Sequence, residues 1–161
     1  MKNQRMLDEL TELMRIDVSS GQEMEIADCL AAKLEQMGFS ITRDEAGATF
    51  GGVCGNVLAV REGERDSVVC FCSHMDRVPG GIGIKPVEED GILRSSGDTI
   101  LAADDLSGVA AILEGVRQAI ESGKALPKLE ILFTVGEEAG LYGAKAFDVS
   151  LLTSKTMYVL D

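Results

Sequence analysis

Val68-Val69-Cys70-Phe71-Cys72-Ser73-His74-Met75-Asp76 is an apolar run that delivers the only histidine of the chain and, two residues later, a carboxylate. Charge at Arg65-Asp66 bounds it on one side and Pro79-Gly80-Gly81 on the other, so it reads as a buried strand with His74 at its C-terminal end. Two further runs end the same way. Leu129 to Val135 runs into Gly136-Glu137-Glu138, and Thr156 to Leu160 runs into Asp161. In an open α/β sheet the carboxyl edge of parallel strands is where ligands collect, because its loops vary while the sheet holds them. If the three strands are parallel neighbours, one histidine and several acids converge on one edge.

Working outward, the 161 residues, 45% hydrophobic and 26% charged, suit one soluble domain with a real core. The formal net charge of −12, from 27 acids against 15 Lys plus Arg, argues against nucleic acid as a partner and is compatible with concentrating cations. Most of these acids read as solvated surface. The four cysteines, Cys29, Cys54, Cys70 and Cys72, form no CxxC pair and read as reduced thiols of a cytosolic protein. The basic start, Met1-Lys2-Asn3-Gln4-Arg5, is followed by Asp8, Glu9 and Glu12 instead of an apolar leader segment. No apolar run approaches the roughly 18 residues of a membrane span. The expectation is a cytoplasmic protein without a membrane partner.

Along the chain, Met6, Leu7, Leu10, Leu13 and Met14 predict an amphipathic helix over 4–16. Ser19-Ser20 ahead of Glu23 has the spacing of a capping box, followed by the helical stripe Ile26, Ala27, Leu30, Leu34 and Met37 up to Gly38. Strands are predicted at 40–44 and 57–61, with a glycine-rich turn between them and a polar turn over 62–66. A hairpin around Glu89-Asp90-Gly91 comes next. Ile100-Leu101-Ala102-Ala103 stops at Asp104-Asp105, just before a helix that buries Val109, Ile112, Leu113, Val116 and Ile120 and ends at Gly123. A short helix is predicted over 139–145. The glycines match neither a P-loop nor a dinucleotide fingerprint.

His74, Asp76, Asp104, Glu137, Glu138 and Asp161 are thus six candidates at strand ends or a helix start. Close-packed carboxylates repel, and a divalent cation relieves that cost. One His with carboxylates suits Zn²⁺ or Mn²⁺, and Asp76 is spaced to orient the imidazole. Each feature also has an ordinary explanation. Asp104 or Asp105 could be a helix cap, Glu137-Glu138 a solvated turn, and Cys70, Cys72 and His74 share a strand face on which a Cys/His site is conceivable.

Four motifs taken together are more specific. Ser73-His74-Met75-Asp76-Arg77-Val78-Pro79, Leu101-Ala102-Ala103-Asp104-Asp105 before a helix, Gly136-Glu137-Glu138-Ala139-Gly140 and Val159-Leu160-Asp161 resemble, in order and spacing, the M20 family of dinuclear metallopeptidases. The likeness is greatest to the peptidase T group of aminotripeptidases and extends over nearly the whole chain, Gly55-Asn56 included. The resemblance implies a zinc-exopeptidase-like α/β fold: a mixed, largely parallel sheet with helices on both faces. It implies two divalent ions, Zn²⁺ with Mn²⁺ and Co²⁺ as alternatives, and a short peptide as substrate. His74 would bind one ion, Asp104 would bridge both, and Glu138 and Asp161 would bind one each. Glu137 matches the family's general base and Asp76 the carboxylate that orients the histidine. A cis peptide between Asp104 and Asp105 is implied as well.

The chain departs from the family in carrying Ala102 where Gly is usual and Leu106 where Lys is usual. It is also less than half as long. The family's lid and dimerisation domain, and the returning portion that supplies a last ligating histidine, have no counterpart here. Residues 1–161 therefore read as the N-terminal part of a catalytic domain, inactive alone. Its uncovered sheet edge favours association into a homo-oligomer. Two other readings remain open: an N-acyl or carbamoyl amino acid amidohydrolase with the same metal centre, and a noncatalytic assembly module.

Overall fold

The apolar stripes of the first two predicted helices become α1 (Gln4–Met14) and α2 (Met24–Gln36) in the computed structural model, which describes residues 4–161. The first three residues of the basic N-terminal run lie outside the described residues. Gly38, just past the end of α2, has φ +84°, a left-handed backbone that glycine adopts without a Cβ clash. Strands β1 (Ser40–Arg43), β2 (Val57–Arg61) and β3 (Arg65–His74) follow; β3 begins inside the stretch predicted as a polar turn. The hairpin of β4 (Pro86–Glu89) and β5 (Ile92–Ser95) turns through Asp90 and Gly91, both at positive φ as a tight hairpin turn requires. Helix α3 (Ala103–Glu121), strand β6 (Pro127–Thr134), the short helix α4 (Tyr142–Ala146) and strand β7 (Met157–Val159) complete the order.

The main sheet runs β1-β2-β6-β3-β7. Strand β3 is parallel to both of its neighbours, with His74 opposite Thr134 on β6 and Cys72 opposite Val159 on β7, whereas β1 and β2 run antiparallel. The carboxyl ends of β3, β6 and β7 therefore lie at one edge, as the three apolar runs predict. Side chains alternate across the sheet. Val57, Ala59, Leu129, Ile131 and Phe133 face the core built with α1, α2 and α3. Leu58, Cys72 and Leu132 face Phe147 and Leu152, so among the described residues the second face is covered by the segment around α4. Full burial of each such aliphatic or aromatic side chain is worth about 1.5–3 kcal/mol over exposure.

Helix α1 is also tied to α3 by charge. Arg5 donates to Glu114 at 2.8 Å and to Glu121 at 2.6 Å, and Arg117 bridges Glu114 at 3.0 Å and Glu9 at 2.8 Å. The Arg5 guanidinium, with Gln118 and Arg117, holds the Glu114 carboxyl down to about 2. A carboxylate depressed in the fold stabilises it above its unfolded pKa, about 4.3, and stops doing so as pH falls through the folded value. Glu114→Gln is accordingly expected to cost about 2 kcal/mol at pH 7. Urea midpoints should differ between wild type and variant at neutral pH, converge below about pH 4.5 and meet near pH 2. A difference that persists undiminished at pH 2 would contradict this.

Candidate metal centre

His74 is the last residue of β3 and 3% exposed, so its ring cannot turn freely. Its Nδ1 lies 3.1 Å from the backbone oxygen of Asp76 and 3.5 Å from the Asp76 carboxylate, which leaves Nε2 facing outward. Asp104 Oδ1 stands 3.1 Å and Asp161 Oδ1 3.4 Å from that Nε2. Burial alone would lower the His74 pKa. The bonds to Asp76 and Asp104 and the field of Glu137 outweigh it, and the imidazole is raised to about 9. The surroundings thus draw positive charge to Nε2, as expected of a cation site.

His74, Asp104 and Glu138 each offer one ligand atom, and these atoms lie within 4.8 Å of one another. An imidazole and carboxylates form a nitrogen and oxygen donor set that suits Zn²⁺, Mn²⁺ or Co²⁺. The residues present fit such an ion. Asp104 and Asp161 have side chains 74% and 57% exposed, so a cation and a substrate could approach from that side. The desolvated Glu138 carboxyl, in the field of Asp104, is shifted upward, consistent with acids that need a counter-charge.

Asp104 and Asp105 divide two tasks. Both have non-helical backbone angles, so the regular helix begins at Leu106. Asp105 is the cap. Its carboxylate accepts from Gly108 N at 2.9 Å and from Ser73 Oγ, fixing the start of α3 to the end of β3. Asp104 is left to point at His74. The peptide between them is cis, as the resemblance implies. Ala102 has φ +59°, a conformation that favours glycine, the residue usual there in the resembled family.

Glu137 and Glu138 lie in the turn that follows β6. Asp76 Oδ1 accepts from Glu137 N at 2.9 Å, and its Oδ2 accepts from both Glu138 N at 3.2 Å and Ser20 Oγ, so one carboxylate orients both His74 and the two glutamates. Burial opposes its ionisation, but the bonds from His74, Ser20 and Glu137 prevail and its pKa is lowered. Asn56 reinforces the same turn by accepting from Val135 N and donating to Gly143 O.

Asp161 follows the edge strand β7. Glu130, fully buried on β6, accepts from Thr153 N at 2.8 Å and Ser154 N at 3.0 Å and thereby sets the approach to that strand.

All six predicted residues come to this edge: His74, Asp104 and Glu138 as one group, Asp161 beside the imidazole, Asp76 behind it. Glu137 lines a cavity of about 310 Å³ shared with His74 and Asp161. The Cys/His alternative does not form, since the group of potential ligands found among the described residues contains no cysteine. Burial pushes Cys70 to about 12 and Cys72 to about 11, away from the thiolate a metal needs. The capping box does not form either. Glu23 is the N-cap of α2 without a side-chain cap bond, and both it and Ser20 bond toward the site. Glu130 was not among the predicted residues; an acid at the centre of an otherwise apolar strand is the signal that could have marked it.

The fold and the donor set together describe an α/β scaffold with a candidate metal centre at the carboxyl edge of its parallel strands. The sequence model of Peptidase family M28 matches residues 56–161, and the chain belongs to that family. It is 38% identical to the uncharacterized protein YqjE of Bacillus subtilis (strain 168) over 162 aligned positions, which cover 100% of the chain and 44% of that protein. The crystal structure of aminopeptidase PepT from Bacillus cereus ATCC 10987 superimposes with a TM-score of 0.95 at 38% identity, over 98% of this chain and 43% of that one. A tripeptidase of Staphylococcus aureus subsp. aureus Mu50 gives 0.93 at 34% identity over the same shares. The chain thus spans less than half the length of these relatives. The matching model is that of M28, whereas the motifs resemble M20. It begins at Asn56, so α1, α2 and β1 lie outside the match, while the likeness to the PepT structure includes nearly all of them.

Proposed function

We propose that the chain is the N-terminal part of the catalytic domain of an M20-type, tripeptidase-like aminopeptidase, which releases N-terminal residues from short peptides in the cytoplasm. The observation that carries the reading is the convergence of His74, Asp104, Glu138 and Asp161 on one sheet edge, with Glu137 lining a cavity together with His74 and Asp161. The similarity to PepT and to the S. aureus tripeptidase supports it.

Two divalent cations, zinc in the first place, would be held by His74, Asp104, Glu138 and Asp161, and when bound they supply Lewis-acid polarisation of the scissile carbonyl and acidify the attacking water. Glu137 takes the proton of that water and passes it to the leaving amine, a role that needs only hydrogen-bond reach. Asp76 holds the His74 ring through Nδ1 and keeps Nε2 directed at the site. No helix among the described residues is long and apolar enough to cross a membrane.

A panel of di-, tri- and tetrapeptides, each with a free and a blocked α-amino group, tests the assignment on the zinc-loaded full-length protein. Tripeptides with a free amine are expected to be hydrolysed and blocked ones spared. Turnover of N-acyl or N-carbamoyl amino acids alone would replace the reading with the amidohydrolase one, and no turnover of any substrate would remove it.

A further inference from the structure

Three consecutive amides present the two glutamates of the site, and each donates to a buried carboxylate. Gly136 N reaches Glu23 Oε1 at 3.0 Å; Glu137 N and Glu138 N reach Asp76 at 2.9 and 3.2 Å. Both acceptors are anchored in the short stretch between α1 and α2. Ser20 Oγ donates to Asp76, and Gly21 N donates to Glu23 Oε1 at 2.9 Å. One oxygen of Glu23 therefore bridges the backbone of the N-terminal segment to that of the catalytic turn.

Glu23 is held there at a cost. It is 0% exposed, and its Oε2 has no hydrogen-bond partner among the described residues. Desolvating half a carboxylate without compensation is unfavourable, and an apolar side chain of similar size would pack without that penalty. Helix capping does not account for it, because α2 has no side-chain cap bond. The turn it grips has little freedom to compensate. Gly136 sits at φ +59°, and a Cβ there would lie 2.7 Å from Phe50 Cζ, so the ring of Phe50 supports the turn directly below the Glu23 bond.

We infer that Glu23 is a positioning residue: its bridge between Gly21 and Gly136 sets where Glu137 and Glu138 stand, which makes the segment 20–23 part of the catalytic apparatus. The inference rests on the roles proposed above for those two glutamates. It does not need the charge of Glu23, since a glutamine carbonyl can accept the same two bonds; it needs the length of the side chain.

The test compares Glu23→Ala, Glu23→Asp and Glu23→Gln in the full-length protein by peptide kinetics, zinc titration and amide hydrogen exchange of the metal-free form. In Glu23→Ala, kcat and zinc affinity are each expected to fall about 10- to 100-fold, the scale for residues that orient ligands, with KM within about threefold. The amides of Gly136, Glu137 and Glu138 lose protection, and Glu23→Gln restores all three readouts to within about threefold. If the alanine variant does not fold, Glu23→Asp decides, because its carboxylate is one methylene too short to bridge both amides and the same losses are expected. A folded Ala or Asp variant with a lowered melting temperature but unchanged kcat, zinc affinity and exchange overturns the inference and leaves Glu23 a merely structural residue. Wild-type protein that hydrolyses no peptide would instead remove the proposed function, while the exchange measurement still decides whether Glu23 fixes the turn.

Discussion

Glu137→Gln in the zinc-loaded full-length protein is expected to lower kcat by about 10²–10⁴-fold, the range for losing a positioned general base. KM should stay within about threefold, because the carboxamide keeps the size of the side chain and the peptide amides that bind Asp76 are untouched. Zinc stoichiometry should stay unchanged, since Glu137 is not among the proposed ligands. Steady-state kinetics with a free-amine tripeptide and metal analysis of the same preparation give both numbers. A kcat within threefold of wild type would take the base role away from Glu137, and loss of zinc would make it a ligand instead.

The second large effect is expected from Asp104→Asn. Asp104 is the proposed bridge between two cations, and a neutral amide offers a far weaker oxygen for that purpose. Calorimetric titration of chelator-stripped protein should fall from about two zinc ions per chain to one or none. Cys72→Ser, a buried thiol outside the ligand group, should change nothing. Protons sharpen the experiment. With His74 raised to about 9 in the metal-free protein, the imidazole is charged at neutral pH and an incoming cation must displace its proton. Zinc affinity should therefore rise with pH, by up to about tenfold per unit, and level off above about pH 9. Affinity that is flat from pH 6 to 9 would mean that His74 does not ligate.

Much of this was legible because the sequence makes the site out of strand endings. An apolar run that stops on His74, another on Gly136-Glu137-Glu138 and a third before Asp161 place their polar ends together as soon as the strands are parallel neighbours. The periodicity of α3 located Asp104 and Asp105 at its start but could not divide their roles, because capping and ligation use the same carboxylate. Which of the two bonds Gly108 depends on backbone angles that no spacing reveals. Ser20 and Glu23 were misread for a related reason. Their spacing satisfies a capping box, a local motif, whereas their actual partners, Asp76 and Gly136, are brought to them only by the tertiary fold. Local rules found the helix and missed its role.

The pairings of β3 with β6 and with β7 are parallel, so neither can close through a tight turn. Each needs a long crossover, and contacts between residues far apart in sequence are assembled slowly. The four proposed ligands lie on four separate segments, three brought together by these pairings and Asp104 by the bond of Asp105 to Ser73 at the end of β3, so the complete cage exists late on the folding path. A cation that needs the complete cage finds little to hold in the transition state. It should therefore act mainly by slowing the opening of the finished protein, not by speeding its formation, and chelation would show itself as a shortened lifetime of the folded chain more than as a failure to reach it.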